Sequence, residues 1–284
     1  MKHLLVFGPG YSAKPIMTRA QNANWQVTAS YRNLERQNEL MDMGFTTISA
    51  NAGQMKSVIP VTHILVSISP PEGGDVILKQ WESWLKQQKY LQSLHYLSST
   101  NVYGNHDGAW VDETTQTKPS LARGKRRLDA EQGWQNLAET IGFPAFIYRL
   151  AGIYGPGRNA FQSLKAGKAR RIIKSGQIFG RIHVADIEAA VWDLMNRTQS
   201  GGVFNLADDL PTPPQTVIEE AARLLNISAP KEEAFEDAEL SVMARSFYAE
   251  NKRVKNDKIK AVLGRELIYP TYKEGLKSLL KEIK

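Results

Sequence analysis

The sequence predicts an α/β fold, a doubly wound parallel sheet with a small C-terminal lobe. Three observations predict it. Short apolar runs alternate with amphipathic helical stretches over roughly the first half of the chain, joined by brief connections. A glycine turn, Gly8-Pro9-Gly10-Tyr11-Ser12-Ala13, separates the first run from the first helical stretch. The pattern then breaks at Gly155-Pro156-Gly157-Arg158-Asn159 and becomes irregular. Strands alternating with helices through short loops build a parallel sheet covered on both faces.

The elements follow in order. Leu4 to Phe7 is wholly apolar, as a strand buried on both faces must be. Tyr11 to Ala23 fits a helix, and Gln26 to Ser30 a second strand. Asn33 is placed to cap the next helix, through about Met43. Thr46 to Ile48 is a short third strand and His63 to Ser67 a buried fourth. Asp75 to Gln88 is helical, with an apolar stripe of Val76, Leu78, Trp81, Trp84 and Leu85. Leu94 to Ser98 is a strand, Arg123 to Ile141 a long helix, and Ala145 to Leu150 a strand. Beyond the break come a helix at 184–197, a strand at 203–206, and helices at about 213–225 and 252–263. The expected division is a core over residues 1–154, with 181–208 returning to it, and a lobe over 155–284.

Composition bounds the function. The chain has 284 residues and is 42% hydrophobic, enough for one large domain or a domain with an appended lobe. Mean hydropathy is −0.37 and no long apolar run occurs, so no membrane span is expected. The opening apolar stretch meets glycine at once, too early for a secretion signal, which makes the cytoplasm the expected compartment. There is no cysteine, which excludes disulfides and thiolate nucleophiles. The five histidines show no zinc-type spacing, so no metal site is expected. A net charge of +7 fits a soluble protein with a basic surface, or alternatively one that attracts an anionic ligand such as a phosphorylated cofactor, a nucleotide-sugar or nucleic acid. The basic residues are dispersed, apart from 123–127 and 168–171, and form no nucleic-acid motif.

The glycine turn carries the most chemistry. Its form is G-x-G-x-x-A between a buried strand and a helix, the setting that makes such a motif informative. Gly8 permits the tight turn, Gly10 lets backbone approach a pyrophosphate, and Ala13 lets helix and strand pack closely. Tyr11 and Ser12 head the helix whose N-terminus would face that anion. This is a Rossmann-type dinucleotide site. The second strand ends at Ser30-Tyr31-Arg32, with no acid between Val27 and Leu34. An acid there would accept from a ribose 2′-hydroxyl, whereas arginine accommodates a 2′-phosphate. The expected cofactor is therefore NADP, with NAD as the alternative.

Further segments carry a resemblance: Ser67-Ile68-Ser69-Pro70-Pro71, Leu97-Ser98-Ser99-Thr100-Asn101-Val102-Tyr103-Gly104, Arg149-Leu150-Ala151-Gly152-Ile153-Tyr154-Gly155, Arg181-Ile182-His183-Val184-Ala185-Asp186-Ile187 and Phe204-Asn205-Leu206-Ala207-Asp208. Together with the glycine turn, and in this order, they resemble the extended short-chain dehydrogenase/reductases, the NAD(P)-dependent epimerase/dehydratase group, and its small atypical members most. The resemblance implies a Rossmann domain with a C-terminal substrate lobe. It places Ser67 and Ser69 beside the cofactor riboses and makes Ser99 the hydroxyl that bonds the reacting substrate oxygen. It places Arg149, Asn159, Phe161 and Arg181 along the substrate cleft, where arginines would favour an anionic substrate. Arg149 and Arg181 are equally suited to buried ion pairs.

The family also carries a Tyr-x-x-x-Lys pair with a glutamate four residues beyond. Aligning that glutamate with Glu131 puts Arg123 and Arg127 at the tyrosine and lysine positions. Arginine does not deprotonate, so Arg123 cannot be the acid/base. Arg127 can still donate to ribose hydroxyls. Tyr103 is the phenol nearest Ser99 in sequence, with a structural role as its alternative. The expected catalytic set is Ser99, Tyr103 and Arg127. Thr100 and Asn101 stand where dehydratases of the family carry an Asp-Glu pair, which argues against dehydration. The resemblance thus implies an NAD(P)-dependent oxidoreductase or epimerase acting on a sugar-nucleotide or other small carbonyl or hydroxyl compound, with a homodimer as the assembly. The alternative is a cofactor-binding sensor without turnover.

Overall fold

The computed structural model describes residues 1–57, 59–197 and 200–282. In chain order its elements are β1 (His3–Phe7), α1 (Ala13–Asn22), β2 (Gln26–Tyr31), α2 (Leu34–Asp42), β3 (Thr46–Ser49), β4 (His63–Val66), α3 (Val76–Leu85), β5 (Ser93–Ser99), β6 (Trp110–Val111), α4 (Ala122–Ile141), β7 (Ala145–Leu150) and β8 (Gly152–Tyr154). There follow α5 (Ala160–Lys165), β9 (Arg171–Ile173), β10 (Arg181–His183), α6 (Val184–Met195), β11 (Gly202–Leu206), α7 (Pro214–Leu225), β12 (Glu232–Ala234), α8 (Val242–Phe247), β13 (Arg253–Val254), α9 (Asp257–Leu263) and α10 (Tyr272–Lys281). They form two compact units. The first comprises Met1–Val102, Leu121–Arg149 and Ile187–Phe204, the second Tyr103–Ser120, Leu150–Asp186 and Asn205–Lys284.

The first unit is built on a seven-stranded sheet, ordered β11-β7-β5-β4-β1-β2-β3, the α/β architecture expected from the sequence. Every pairing from β3 through β5 is parallel. The chain winds outward from β1 to β3, then crosses back to start again at β4. The C-terminal ends of β1 and β4 therefore border the switch point where such sheets bind ligands. Helix α3 buries two members of its expected apolar stripe, Trp81 and Leu85, together with Ile77. Ile77, Trp81 and Leu85 are buried at successive helical turns, while Val76, Leu78 and Trp84 pack at the margin. Asp75 caps the helix through Ile77 and Leu78 N–H. Trp81 and Trp134 are fully buried, and each indole N–H is satisfied, by Ala50 carbonyl and Asp75 carboxylate at 2.8 Å. Burying each such side chain contributes about 1.5–3 kcal/mol.

The opposite ends of the strands hold a row of buried histidines. His3 Nδ1 donates to Ile59 carbonyl at 3.1 Å, so its Nε2 accepts from Thr28 hydroxyl at 2.9 Å. His63 Nε2 donates to Met195 carbonyl at 3.1 Å. His95 lies between Ser93 and Tyr148 hydroxyls at 2.8 and 2.9 Å and stacks on Phe146. Burial lowers all three, His95 well below its usual range. Burial, aided by nearby Lys2, brings His63 to about 4. An unfolded histidine titrates near 6.5, so between those values the unfolded chain binds more protons. Stability should be complete above about pH 6.5 and fall by roughly 3 kcal/mol for His63 alone as pH drops to about 4. Urea unfolding at pH 7.5 and pH 5 measures this. Equal midpoints would mean the histidines are charged in the folded chain.

The second unit contains three two-stranded pairings, β10 with β8, β12 with β9, and β13 with β6. The segment 252–263, read as one helix, is instead strand β13 followed by α9. Arg253 and Val254 pair with Trp110 and Val111, far away in sequence, so no local periodicity announced them. Helix α10 also went unread, although its capping box of Thr271 and Glu274 is a start signal on its face. Its apolar side, Tyr272, Leu276 and Leu279, packs with Tyr154, Phe161 and Ala221 into a separate core. Gly275 lets α10 lie directly on Tyr154, since a Cβ there would overlap the Tyr154 hydroxyl. Among the described residues no helix is long and apolar enough to cross a membrane.

Candidate functional site

The glycine turn lies at the end of β1, at the sheet's switch point. Gly8 has φ +81°, and a Cβ there would sit 2.5 Å from Ile68 Cγ1 and 2.9 Å from Ile68 N. Only glycine meets both conditions. Its N–H donates to Ser30 Oγ at 3.2 Å, which joins the turn to the end of β2. Gly10 N–H donates back to Gly8 carbonyl at 2.7 Å. A Cβ on Gly10 would meet only Gly8 carbonyl oxygen, at 3.8 Å, so this side of the turn is open. Ser12 stands at the N-cap of α1, but its side chain makes no capping bond and no acid lies in the first turn. Ala13 is fully buried. An open turn leading to an uncapped helix N-terminus is a cradle for a diphosphate, so these residues fit a dinucleotide.

After Ser30, which ties the end of β2 to the turn, Tyr31 is half-buried and Arg32 exposed. Two cations that the sequence reading did not single out border the turn. Lys14 lies in the first turn of α1, and Arg36 is one turn into α2. Arg36 donates to Pro9 carbonyl and to Glu39. A groove there is lined by Gly10, Tyr11, Lys14, Pro15 and Arg36 among others. The available signal was spacing, for each follows Gly10 or Arg32 by four residues.

Ser67, Ser69, Ser99 and Arg127 gather at the ends of β4 and β5. Arg127 Nη2 donates to Ser69 Oγ at 2.6 Å. Its Nη1 donates to the carbonyls of Ile68 and Leu97 and to Tyr96 hydroxyl, at 3.1–3.2 Å. One guanidinium thus ties the loops after both strands. Burial pushes Tyr96 well above its usual range, so it stays a neutral phenol. Ser99 is half-buried, and its Oγ accepts from Asn101 N–H at 3.2 Å, which leaves the hydroxyl proton available. Arg149 lies in the buried ion pair that was its alternative. Its guanidinium meets Glu131 at 2.8 Å, with side-chain exposures of 7% and 2%. Ser98 hydroxyl also donates to Glu131.

In the second unit, Tyr103 is fully buried and its hydroxyl donates to Asn205 at 2.7 Å. Phe161 is fully buried in the α10 core. Asn159 caps α5 through Gln162 N–H and donates to Gly155 carbonyl. Asn159 and Arg181 both line a cavity of about 310 Å³, with Arg158, Ser163 and Tyr272. Arg181 Nη1 donates to the carbonyls of Phe179 and Thr212, which fixes the guanidinium. Close by, Tyr154 hydroxyl, His183 Nε2 and both Asp208 oxygens are buried without a bond of normal geometry. Burial raises Asp208 to about 7 despite the nearby Arg181 charge. Asp186 is latched by the N–H groups of Ile268 and Tyr269, and burial raises it to about 6.

A family model described as the NAD dependent epimerase/dehydratase family matches residues 80–207. The chain is 42% identical to a conserved protein of unknown function from Silicibacter pomeroyi DSS, over 100% of both chains, with a TM-score of 0.92. Its fold is also that of the dTDP-glucose 4,6-dehydratase from Bacillus anthracis str. Ames in complex with NAD. That match has 15% identity, 99% and 96% coverage and a TM-score of 0.77. The UDP-glucuronic acid 4-epimerase from Bacillus cereus in complex with NAD matches at 14% identity, with 100% and 97% coverage and a TM-score of 0.77. The chain has no match among curated proteins.

Proposed function

The chain belongs to the NAD dependent epimerase/dehydratase family, and from that premise we propose that it is an NAD(P)-dependent oxidoreductase or epimerase acting on a sugar-nucleotide or other small carbonyl or hydroxyl compound. One observation carries the reading. Gly8 is forced to be glycine at the switch point, and the turn opens at Gly10 onto an uncapped helix. The two Bacillus proteins of the same fold are described with NAD.

Gly8, Gly10, Tyr11, Ser12 and Ala13 would hold the diphosphate, with Ser67 and Ser69 toward the riboses. When bound, the nicotinamide supplies or withdraws a hydride. Ser99 hydroxyl would hydrogen-bond the substrate oxygen that gains or loses a proton. Arg127 would orient Ser69 and bring positive charge beside it. Arg158 and Arg181 border a cavity suited to an anionic group of the substrate.

The preference for NADP rests on Arg32 and on the lack of an acid at the end of β2. Parallel calorimetric titration should find NADPH bound at least tenfold more tightly than NADH, about 1.4 kcal/mol. Arg32→Asp should reverse that order. Unchanged relative affinities would remove Arg32 from the 2′-phosphate, and no binding of either dinucleotide would sink the oxidoreductase reading. A second reading, a sensor that binds the cofactor without turnover, rests on the expectation that Arg123 and Arg127 stand at the family's tyrosine and lysine positions. NADPH oxidation with any carbonyl compound, or isomerisation of a sugar-nucleotide, excludes it.

A further inference from the structure

Lys14 and Arg36 border the glycine turn, yet both already hold an anion that belongs to the chain. Glu39, on the exposed side of α2, meets Lys14 Nζ with Oε1 at 2.5 Å. Its Oε2 accepts from Arg36 Nη1, while Arg36 Nη2 donates to Pro9 carbonyl inside the turn. One carboxylate therefore bridges two cations from different helices. The side chains of Lys14, Arg36 and Glu39 are 32%, 28% and 45% exposed, so the bridge faces solvent along the groove. Arg32 adds a third cation close by in sequence.

We propose that Glu39 is an internal competitor for the 2′-phosphate of the cofactor, occupying Lys14 and Arg36 until a phosphate displaces it, and that it thereby sets the ratio of NADP to NAD affinity. The inference rests on the cofactor reading above. A phosphate dianion brings more charge and more acceptor oxygens than one carboxylate, so it can bridge the same two cations. Releasing Glu39 costs little, because exposed ion pairs are weak and the freed carboxylate is rehydrated. NADH carries no group for this position and leaves the bridge intact. Glu39 therefore acts on one cofactor only, and discrimination is a difference between two affinities. Lys14 first and then Arg36 hold the Glu39 carboxyl below its ordinary range, so the competitor is charged throughout the neutral range.

The test is titration of the parent chain and of Glu39→Gln with NADPH, NADH, adenosine 2′,5′-bisphosphate and AMP at low salt. Glu39→Gln should bind NADPH and the bisphosphate about three- to tenfold more tightly, with NADH and AMP changed less than twofold. Lys14→Gln should weaken the two 2′-phosphate ligands about tenfold and flatten their salt dependence. A Glu39→Gln variant that moves all four ligands together, or none, overturns the inference and leaves the cofactor reading standing. A parent chain that binds neither dinucleotide overturns both. Glu39 is exposed, so thermal melting of the variant should match the parent.

Discussion

Gly10→Val is expected to abolish dinucleotide binding while the chain stays folded. The two halves of that expectation have separate causes. A Cβ on Gly10 would have only Gly8 carbonyl oxygen near it, at 3.8 Å, so the folded chain has room for a side chain. The same space is where a diphosphate must approach the backbone, and valine fills it. A loss of at least a hundredfold, about 2.7 kcal/mol, is expected for NADPH and NADH alike. Calorimetric titration reads the affinity, and thermal melting checks the fold. Tight binding by the variant would place the dinucleotide elsewhere. Gly8 offers the contrast. There a side chain collides with Ile68 and the backbone sits at φ +81°, so Gly8→Ala damages the fold itself.

Arg149→Met should destabilise the chain by about 3–5 kcal/mol, because it strands a buried charge. Glu131 is 2% exposed at its side chain, and Arg149 is its cation. Without Arg149, Ser98 hydroxyl alone would answer the carboxylate. Replacing both partners, as Arg149→Met with Glu131→Leu, removes the stranded charge and should recover most of the loss. Urea unfolding with unchanged m-values measures the effect. If Arg149→Met leaves unfolding unchanged and instead weakens binding of a substrate, the arginine belongs to the cleft after all.

These two residues mark a division that runs through the molecule. Gly8, Gly10 and Ala13 were assigned from residues a few positions apart, because a tight turn between strand and helix constrains exactly those neighbours. The order of strands and helices through β7, β6 apart, was legible for the same reason, since burial on both faces of a parallel sheet imposes local periodicity. Arg149 had two equal readings until the fold placed Glu131 against it, 18 residues away in sequence. Tyr103 had a reactive and a structural reading, and the partner of its hydroxyl, Asn205, lies 102 residues away. Phe161 sat in a cleft-lining segment, but α10 covers it, and that helix was not read from the sequence. Strands β6 and β13 have two residues each and no period to detect.

By itself, then, the sequence determined the α/β class, the sheet's first half and the glycine turn, all of them products of near-neighbour geometry. The tertiary structure alone decided which polar side chains are committed to partners and which still face a ligand. Arg127 was joined to Ser69, Arg149 to Glu131, and Lys14 and Arg36 to Glu39, by folding rather than by spacing. The physical reason is that a charge's role depends on what satisfies it, and the satisfying group comes from wherever the chain returns.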